Sequence, residues 1–349
     1  MHQNWIKLAN KKRNTILFVV LALGLLLMFF ASISLGSVNI PLKDVLSSLT
    51  GGQATKSTWE YIILNYRLPK AITAVLVGTG LSVSGLLMQT LFRNPLAGPY
   101  VLGLSSGASL GVAFVILGAG LLPPFLSVIA LSSYGIVIAS TCGSTLVLLL
   151  VLLVSQRLRD TMAILIVGLM FGSFTTAIVS VLTYFSTAEQ LQKFTFWSMG
   201  SLGNLSWSTI GILTVCVIVG LLLSAKSIKP LNALLLGENY AKSMGLNFNQ
   251  ARLIIILATS ILSGAITAFA GPIAFIGLAV PHIAKLTFQT SNHTVLFWST
   301  LFFGAIIMLF CDIVSQMPGF DVTLPINAIT SIIGAPVVIW LLVRKRNFQ

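Results

Sequence analysis

The sequence predicts an all-α, polytopic membrane protein with ten transmembrane helices, forming a single domain over residues 1–349. Three observations predict it. Of the 349 residues, 56% are hydrophobic and only 8% are charged, where a soluble domain carries roughly 25%. The apolar residues gather into runs of about twenty, the length a helix needs to cross the hydrocarbon core of a bilayer. Twenty Lys+Arg against seven Asp+Glu give a formal net charge of +13, and the basic residues sit at the ends of the apolar runs. Such a chain lacks the polar surface of a soluble protein. It is too apolar for a disordered one, and it has no soluble basic face on which nucleic acid would bind.

The first run is Thr15–Gly36, preceded by Lys7, Lys11, Lys12 and Arg13. The pattern resembles the start of a signal peptide, but the run is long enough to span by itself. No small-x-small cleavage site leads into a soluble domain, so it is expected to be a first membrane helix with its basic end in the cytoplasm. A polar outer stretch, 37–66, follows; Ile40–Leu46 within it suits a short interfacial helix with Pro41 in its first turn. The second run is about Leu68–Leu91. The third is about Val101–Leu122, ended by Pro123-Pro124. The fourth is about Phe125–Val154, and a charged loop, Gln156–Asp160, separates it from the fifth, Thr161–Phe185. After the outer loop 186–206 comes the sixth run, about Trp207–Ser224. Beyond the polar stretch 225–250 lie the seventh, Ala251–Ala270, and the short eighth, Ile273–Leu286. The ninth, about Val295–Val314, the outer loop 315–324 and the tenth, about Pro325–Val343, complete the series.

Ten spans place both termini on the cytoplasmic side. Fifteen basic residues then lie inside: Lys7, Lys11, Lys12, Arg13, Arg93, Arg157, Arg159, Lys226, Lys229, Lys242, Arg252, Lys285, Arg344, Lys345 and Arg346. Five lie outside: Lys43, Lys56, Arg67, Lys70 and Lys193. This bias follows the positive-inside rule. Fusing the seventh and eighth runs across Gly271-Pro272 would give nine spans and put one terminal basic cluster outside, so that arrangement is rejected. The stretch from Ala97-Gly98-Pro99 to Leu104 also resembles that from Ala270-Gly271-Pro272 to Leu278. One copy falls inside and the other outside, as an inverted repeat requires; chance similarity of apolar sequence is the rival reading.

Chemistry is sparse. There is no GxxxxGK[ST], HExxH or GxSxG motif and no paired carboxylate motif. Cys142, Cys216 and Cys311 are isolated in apolar runs, so neither a metal site nor a bound cofactor is expected. Of the seven acids only Asp312 falls inside a run. A charge at mid-membrane costs about 2.5–3.5 kcal/mol on insertion scales, so Asp312 must be near water or paired. An ion-coupled carrier would be expected to bury more acids.

Two loops carry more information. Phe92–Pro99, followed by Gly103–Ser109, holds two prolines and three glycines. Broken backbone is tolerated in a membrane where it is buried in protein or lines a wet cavity. A pathway lining and tight packing through small residues are both open. In the polar stretch 225–250, two short helices are expected, joined near Gly237 and stopped at Gly245. Leu231, Leu234, Leu235 and Met244 would then form an apolar face, covered either by a partner or by the chain's own helices.

Several stretches together resemble the permease subunits of ABC importers for iron–siderophores, haem and cobalamin. They are Arg67-Leu68-Pro69-Lys70, Asn94-Pro95-Leu96-Ala97, Leu104-Ser105-Ser106-Gly107-Ala108, Phe196-Trp197-Ser198-Met199-Gly200 and Leu235-Leu236-Gly237-Glu238 with Ala241 and Met244-Gly245. Gly277-Leu278-Ala279-Val280-Pro281-His282 and Gly334-Ala335-Pro336 complete the set. They run in family order over nearly the whole chain.

The resemblance implies a homodimer or similar permease pair with the pathway between subunits, two cytoplasmic ABC ATPase subunits that use the ATP, and an external substrate-binding protein. It implies a transport subunit of the cytoplasmic (inner) membrane rather than an enzyme, carrying an iron chelate, foremost an iron–siderophore, with haem or cobalamin as the alternative. Ser105, Ser106, Gly107, Thr161 and Met162 match the narrowing of the pathway. Leu231, Leu234, Leu235, Gly237, Glu238, Lys242, Met244 and Gly245 match the ATPase-coupling element. Arg67 and Lys70 match basic positions that meet the binding protein, whereas Gln316 stands where some relatives have a further basic residue. His282 belongs to a motif common to carriers of different cargoes, which implies a structural role.

Overall fold

Backbone amides find no water in a bilayer, so a spanning chain must satisfy them within helices. The computed structural model is helical throughout, with no strand among the described residues. It describes all residues except 1, 120–122, 158–160, 204, 320–321 and 347–349; the side chains of 2–11, 101, 124, 155–157, 161, 238–239, 242, 341–342 and 344–346 also lie outside the description.

The first membrane run becomes α1 (His2–Ser34), and Leu42–Leu49 is the short interfacial helix α2. Pro41 lies at its N-cap, one residue before the first turn. The Asp44 carboxylate of α2 accepts hydrogen bonds from the Thr55 hydroxyl and N–H, which hold it below its ordinary pKa. The stretch 37–66 then re-enters helix as α3 (Ser57–Ile62). A π-helical turn, Ile63–Arg67, joins α3 to α4 (Leu68–Leu91). Together they form a 35-residue rod, Ser57–Leu91. The sequence places α4 to the residue because Pro69 presets the first turn and apolar sequence runs unbroken to Leu91.

The third expected span is shorter than its apolar run. A 3-10 turn, Pro99–Leu102, precedes α5 (Leu104–Ile116). The fourth is two helices, α6 (Pro124–Ala130) and α7 (Ser133–Arg157). Next come α8 (Thr161–Tyr184) and α9 (Ala188–Ser198). The span α10 (Trp207–Lys226) leads to the short helices α11 (Ile228–Leu234) and α12 (Glu238–Ser243). The chain closes with α13 (Phe248–Ala270), α14 (Ile276–Phe288), α15 (His293–Ser315) and α16 (Ile326–Arg346). Among the described residues, seven helices are long and apolar enough to cross a membrane: those of α1, α3–α4, α7, α8, α10, α13 and α15. Three shorter apolar helices, Leu104–Ile116, Ile276–Phe288 and Ile326–Trp340, accompany them.

The rod α4 is the axis of the molecule, packed by α15, α13, α14 and α10. Small residues on it allow this. A Cβ on Gly78 would stand 2.7 Å from both the Gly304 carbonyl carbon and Met308 Cβ, so α4 and α15 touch backbone to backbone. Gly78→Leu is expected to force them apart at a cost of about 1–3 kcal/mol, read as a lower thermal midpoint of the purified protein.

Side-chain bonds sort the helix ends onto two sides. Arg13 of α1 donates to the Phe288 carbonyl at 2.9 Å and to Gln289 Oε1 at 3.1 Å. The basic end of α1 therefore lies with the last turn of α14 and the start of α15. At the opposite side, Ser32 of α1 donates to Asp312 near the end of α15 at 3.3 Å.

Candidate functional site

Two breaks in the helices meet inside the molecule. Gly98–Gly103 precedes α5, and Gly271–Phe275 precedes α14; the two helices have 13 residues each. The Tyr100 hydroxyl accepts from the Ile273 N–H at 3.4 Å. A Cβ on Gly277 would lie 2.5 Å from Pro99 Cδ and 2.8 Å from the Leu81 carbonyl oxygen. Leu81 lies in mid-α4, so the breaks sit at the depth of the rod's middle. Side chains from other helices reach this region: the Ala274 N–H of the break donates to Asn327 Oδ1 at 3.0 Å, and Gln89 Nε2 donates to the Leu278 carbonyl in the first turn of α14 at 3.1 Å. His282 Nε2 donates to the Pro95 carbonyl at 2.8 Å, tying the Asn94–Ala97 loop to α14.

Beside this junction a groove of about 550 Å³ opens between the start of α5 and α8. It is lined by Tyr100, Gly103 and Ser106 on one wall and by Gly172, Ser173, Thr176 and Ser180 among others on the facing wall. Ser106 thus occupies a candidate pathway. Gly107 does not: a Cβ there would lie 2.7 Å from the Gly143 carbonyl oxygen and 2.6 Å from Val147 Cγ2. Its expected place in a pathway lining gives way to tight packing of α5 on α7, because only a hydrogen fits. Ser105 is half-buried and is not among the lining residues. Met162 is exposed at the first turn of α8. It lies ten residues before Gly172, about 15 Å along the helix axis, so it shares no narrow ring with Ser106. The side chain of Thr161 lies outside the described residues.

Sequence reading missed the hydroxyl stripe Ser173, Thr176 and Ser180, whose i, i+3, i+7 spacing marks one helix face. Each hydroxyl donates to the carbonyl four residues earlier, at 3.1, 2.8 and 3.0 Å. The groove is therefore walled by oxygen lone pairs rather than by charge.

On the basic side, α11 and α12 form the expected pair of short helices. Gly237 (φ 108°) and Gly245 (φ 83°) take the left-handed backbone that favours glycine. The expected apolar face divides in two. Leu231 and Leu234 are buried against the chain's own core with Leu87, Leu91 and Phe92, so they anchor the helix rather than present it. Leu235, Leu236, Tyr240 and Met244 are 50–63% exposed. Leu236 and Tyr240 belong to this surface although the sequence reading left them out. The side chains of Glu238 and Lys242 lie outside the described residues.

On the far side a pocket of about 660 Å³ holds Arg67, Lys70, Asp312 and Gln316. Arg67 does not stand out as a free docking charge. It is 7% exposed, and its guanidinium donates to the carbonyls of Ile33 (2.8 Å), Ser34 (2.7 Å) and Val38. The last carbonyls of α1 have no partners within the helix, and a buried cation satisfies them. Lys70 is 20% exposed and pairs with Asp312 at 2.9 Å. Gln316 donates to the other Asp312 oxygen at 2.8 Å, so the neutral residue at this position completes the shell of a buried carboxylate. The requirement that Asp312 be near water or paired is met by pairing.

The model of the FecCD transport family matches residues 24–344. The chain belongs to the FecCD transport family. Among FecCD-like relatives, the hemin transport system permease protein HmuU of Yersinia pestis is 36% identical over 328 residues, covering 94% of this chain and 96% of its own. The vitamin B12 import system permease protein BtuC of Citrobacter koseri is 34% identical over 318 residues, covering 89% and 93%. A solved inward-facing conformation of a metal-chelate type ABC transporter superposes with a TM-score of 0.81 at 29% identity, covering 95% of this chain and 99% of that one. The FecCD match spans both breaks, the groove and the α11–α12 surface.

Proposed function

We propose that this FecCD-family permease of an ABC importer moves a metal chelate, foremost an iron chelate, through the groove beside Ser106. The observation that carries the reading is the meeting of two broken helices at mid-depth beside an uncharged, hydroxyl-lined groove. Irregular backbone at that depth suits a pathway wall, and a wall of weak acceptors holds cargo loosely enough to release it. The hemin permease and the metal-chelate transporter among the relatives favour a chelate over a bare ion; the vitamin B12 permeases keep a corrinoid as the alternative cargo.

In this reading the seven long helices and three short ones make ten crossings, with both termini and the α11–α12 surface in the cytoplasm. The charge bias of the sequence supports that orientation, and the two 13-residue helices after matching breaks support an inverted repeat. Two permease copies face each other, and two ATPase subunits take the exposed Leu235, Leu236, Tyr240 and Met244. A binding protein docks over the outer pocket, where Lys70 is the more accessible cation. The chain resides in the cytoplasmic membrane and leaves ATP hydrolysis to its partners.

Vesicles containing the chain with its ATPase and binding protein are expected to accumulate haemin or ferric siderophore only with ATP inside the ATPase compartment. Ser106→Trp is expected to cut that uptake at least tenfold, because an indole fills the groove, while the ATPase still co-purifies. Uptake driven by an ion gradient with no ATPase present would overturn the importer reading.

A further inference from the structure

We propose that His293 is the positioning residue through which movement of α11 reaches α4 and α15, with Asn232 and Thr90 as its two contacts. The inference rests on the reading of the α11–α12 surface as the ATPase contact.

His293 begins α15 and is 1% exposed. Its Nδ1 lies 3.0 Å from Asn232 Oδ1, and its backbone N–H donates to the same oxygen at 2.8 Å. An amide oxygen only accepts, so Nδ1 carries the proton. Nε2, 2.8 Å from Thr90 Oγ1, then accepts from the Thr90 hydroxyl, whose contact with the Leu86 carbonyl within its own helix is longer at 3.1 Å. One rigid ring therefore holds α11 at one edge and the last turn of α4 at the other. Asn232 also takes up one of the N-terminal amides that α15 leaves unpaired, so the start of α15 is capped from a different element. The helix's own N-cap residue, Asn292, serves the Thr294 N–H.

The position of Asn232 gives these bonds a direction. Its neighbours Leu231 and Leu234 are buried, while Leu235 and Leu236, just past the end of the same helix, are exposed. A push on the exposed end shifts a helix whose inward side chains Leu231 and Leu234 make apolar contacts, and such contacts are non-directional. The Asn232–His293–Thr90 bonds are directional. Thr90 stands at the end of α4, immediately before the Arg93–Gly98 loop that leads into Pro99 and the groove. A displacement of Thr90 is therefore delivered to the backbone break itself. A second link, Arg93 Nη2 to the Leu234 carbonyl at 3.4 Å, is longer and lies nearer solvent.

The test uses the chain with its ATPase in lipid nanodiscs, in a Cys142→Ser, Cys216→Ser, Cys311→Ser background carrying a Ser106→Cys reporter. Maleimide labelling of the reporter is timed with and without ATP plus vanadate. The parent is expected to change its labelling rate with nucleotide. His293→Leu, Asn232→Leu and the near-isosteric Thr90→Val should each shrink that change about fivefold or more, the scale of an ordinary coupling free energy. The ATPase should co-purify undiminished in all three. His293→Gln, which keeps a donor and an acceptor, should restore part of the response. Asn232→Leu with Thr90→Val should be no worse than either alone, since both cut one route.

An undiminished response in His293→Leu, additive losses in the double variant, or loss of the ATPase from any of the three would overturn the proposal. A parent indifferent to nucleotide would overturn both it and the importer reading. Retention of the ATPase by Leu236→Asp would overturn the reading of the α11–α12 surface and leave the labelling result standing.

Discussion

Lys70→Met should destabilise the purified protein by about 3–5 kcal/mol, because it strands a buried carboxylate. Asp312 is 1% exposed and holds Lys70 at 2.9 Å. Its remaining donors, Ser32 and Gln316, are neutral. They orient the carboxylate but cannot balance its charge. The double variant Lys70→Met, Asp312→Leu removes both charges and should regain most of the loss. Thermal unfolding in detergent, followed by intrinsic tryptophan fluorescence, measures both. A single variant as stable as the parent would mean that water reaches Asp312. A double variant no better than the single would mean that packing, rather than charge, holds the three helices α1, α4 and α15 at this end.

Leu236→Asp and Met244→Asp should each weaken ATPase binding by at least 2 kcal/mol, roughly thirtyfold, the scale of a residue at the centre of an interface. Both side chains are 63% exposed, so the substitutions remove apolar contact without disturbing the fold of the free chain. Leu234→Asp provides the contrast. Leu234 is 4% exposed, and an acid there should unfold the neighbourhood of α11 instead. Co-purification of the ATPase from detergent, read beside the thermal midpoint, separates the two outcomes. Equal binding by parent and Leu236→Asp would move the ATPase contact elsewhere.

These substitutions touch the point at which the sequence stopped being informative. Helix positions were legible wherever polar residues or proline bounded an apolar run: α4 begins at the residue before Pro69 and α8 begins at Thr161. The break between α6 and α7 was not, because Leu131-Ser132 carries no proline or glycine. Thr187 and Gln190 form a capping box, a recognisable start signal, yet α9 lay hidden in what read as a loop over 186–206. Faces were harder still. In a membrane helix both the core side and the lipid side are apolar, so hydropathy cannot say which leucines turn inward. That is why Leu231 and Leu234 were grouped with Leu235 and Met244. Arg67 misled for a different reason: a cation in a motif discloses its charge but not the carbonyl ends that folding brings beside it. Ser106 was named through the family resemblance, since its Gly- and Ser-rich surroundings alone left pathway lining and tight packing both open; the structure places it on the groove wall. Its facing stripe on α8 was overlooked because serine and threonine in an apolar run usually bond their own backbone, as these also do.

The π-helical turn at Ile63–Arg67 has a consequence for how the rod can vary. A π turn holds about one residue more than an α turn. It therefore sets everything before it about 100° out of phase with everything after it. Deleting one residue from this turn would restore an α repeat and swing α3 around the axis. The same deletion inside α4 would rotate half the rod against its four neighbours. The turn acts as a phase joint: α3 can change its heading by single-residue insertions or deletions, while the register of α4 stays locked by the backbone contact at Gly78.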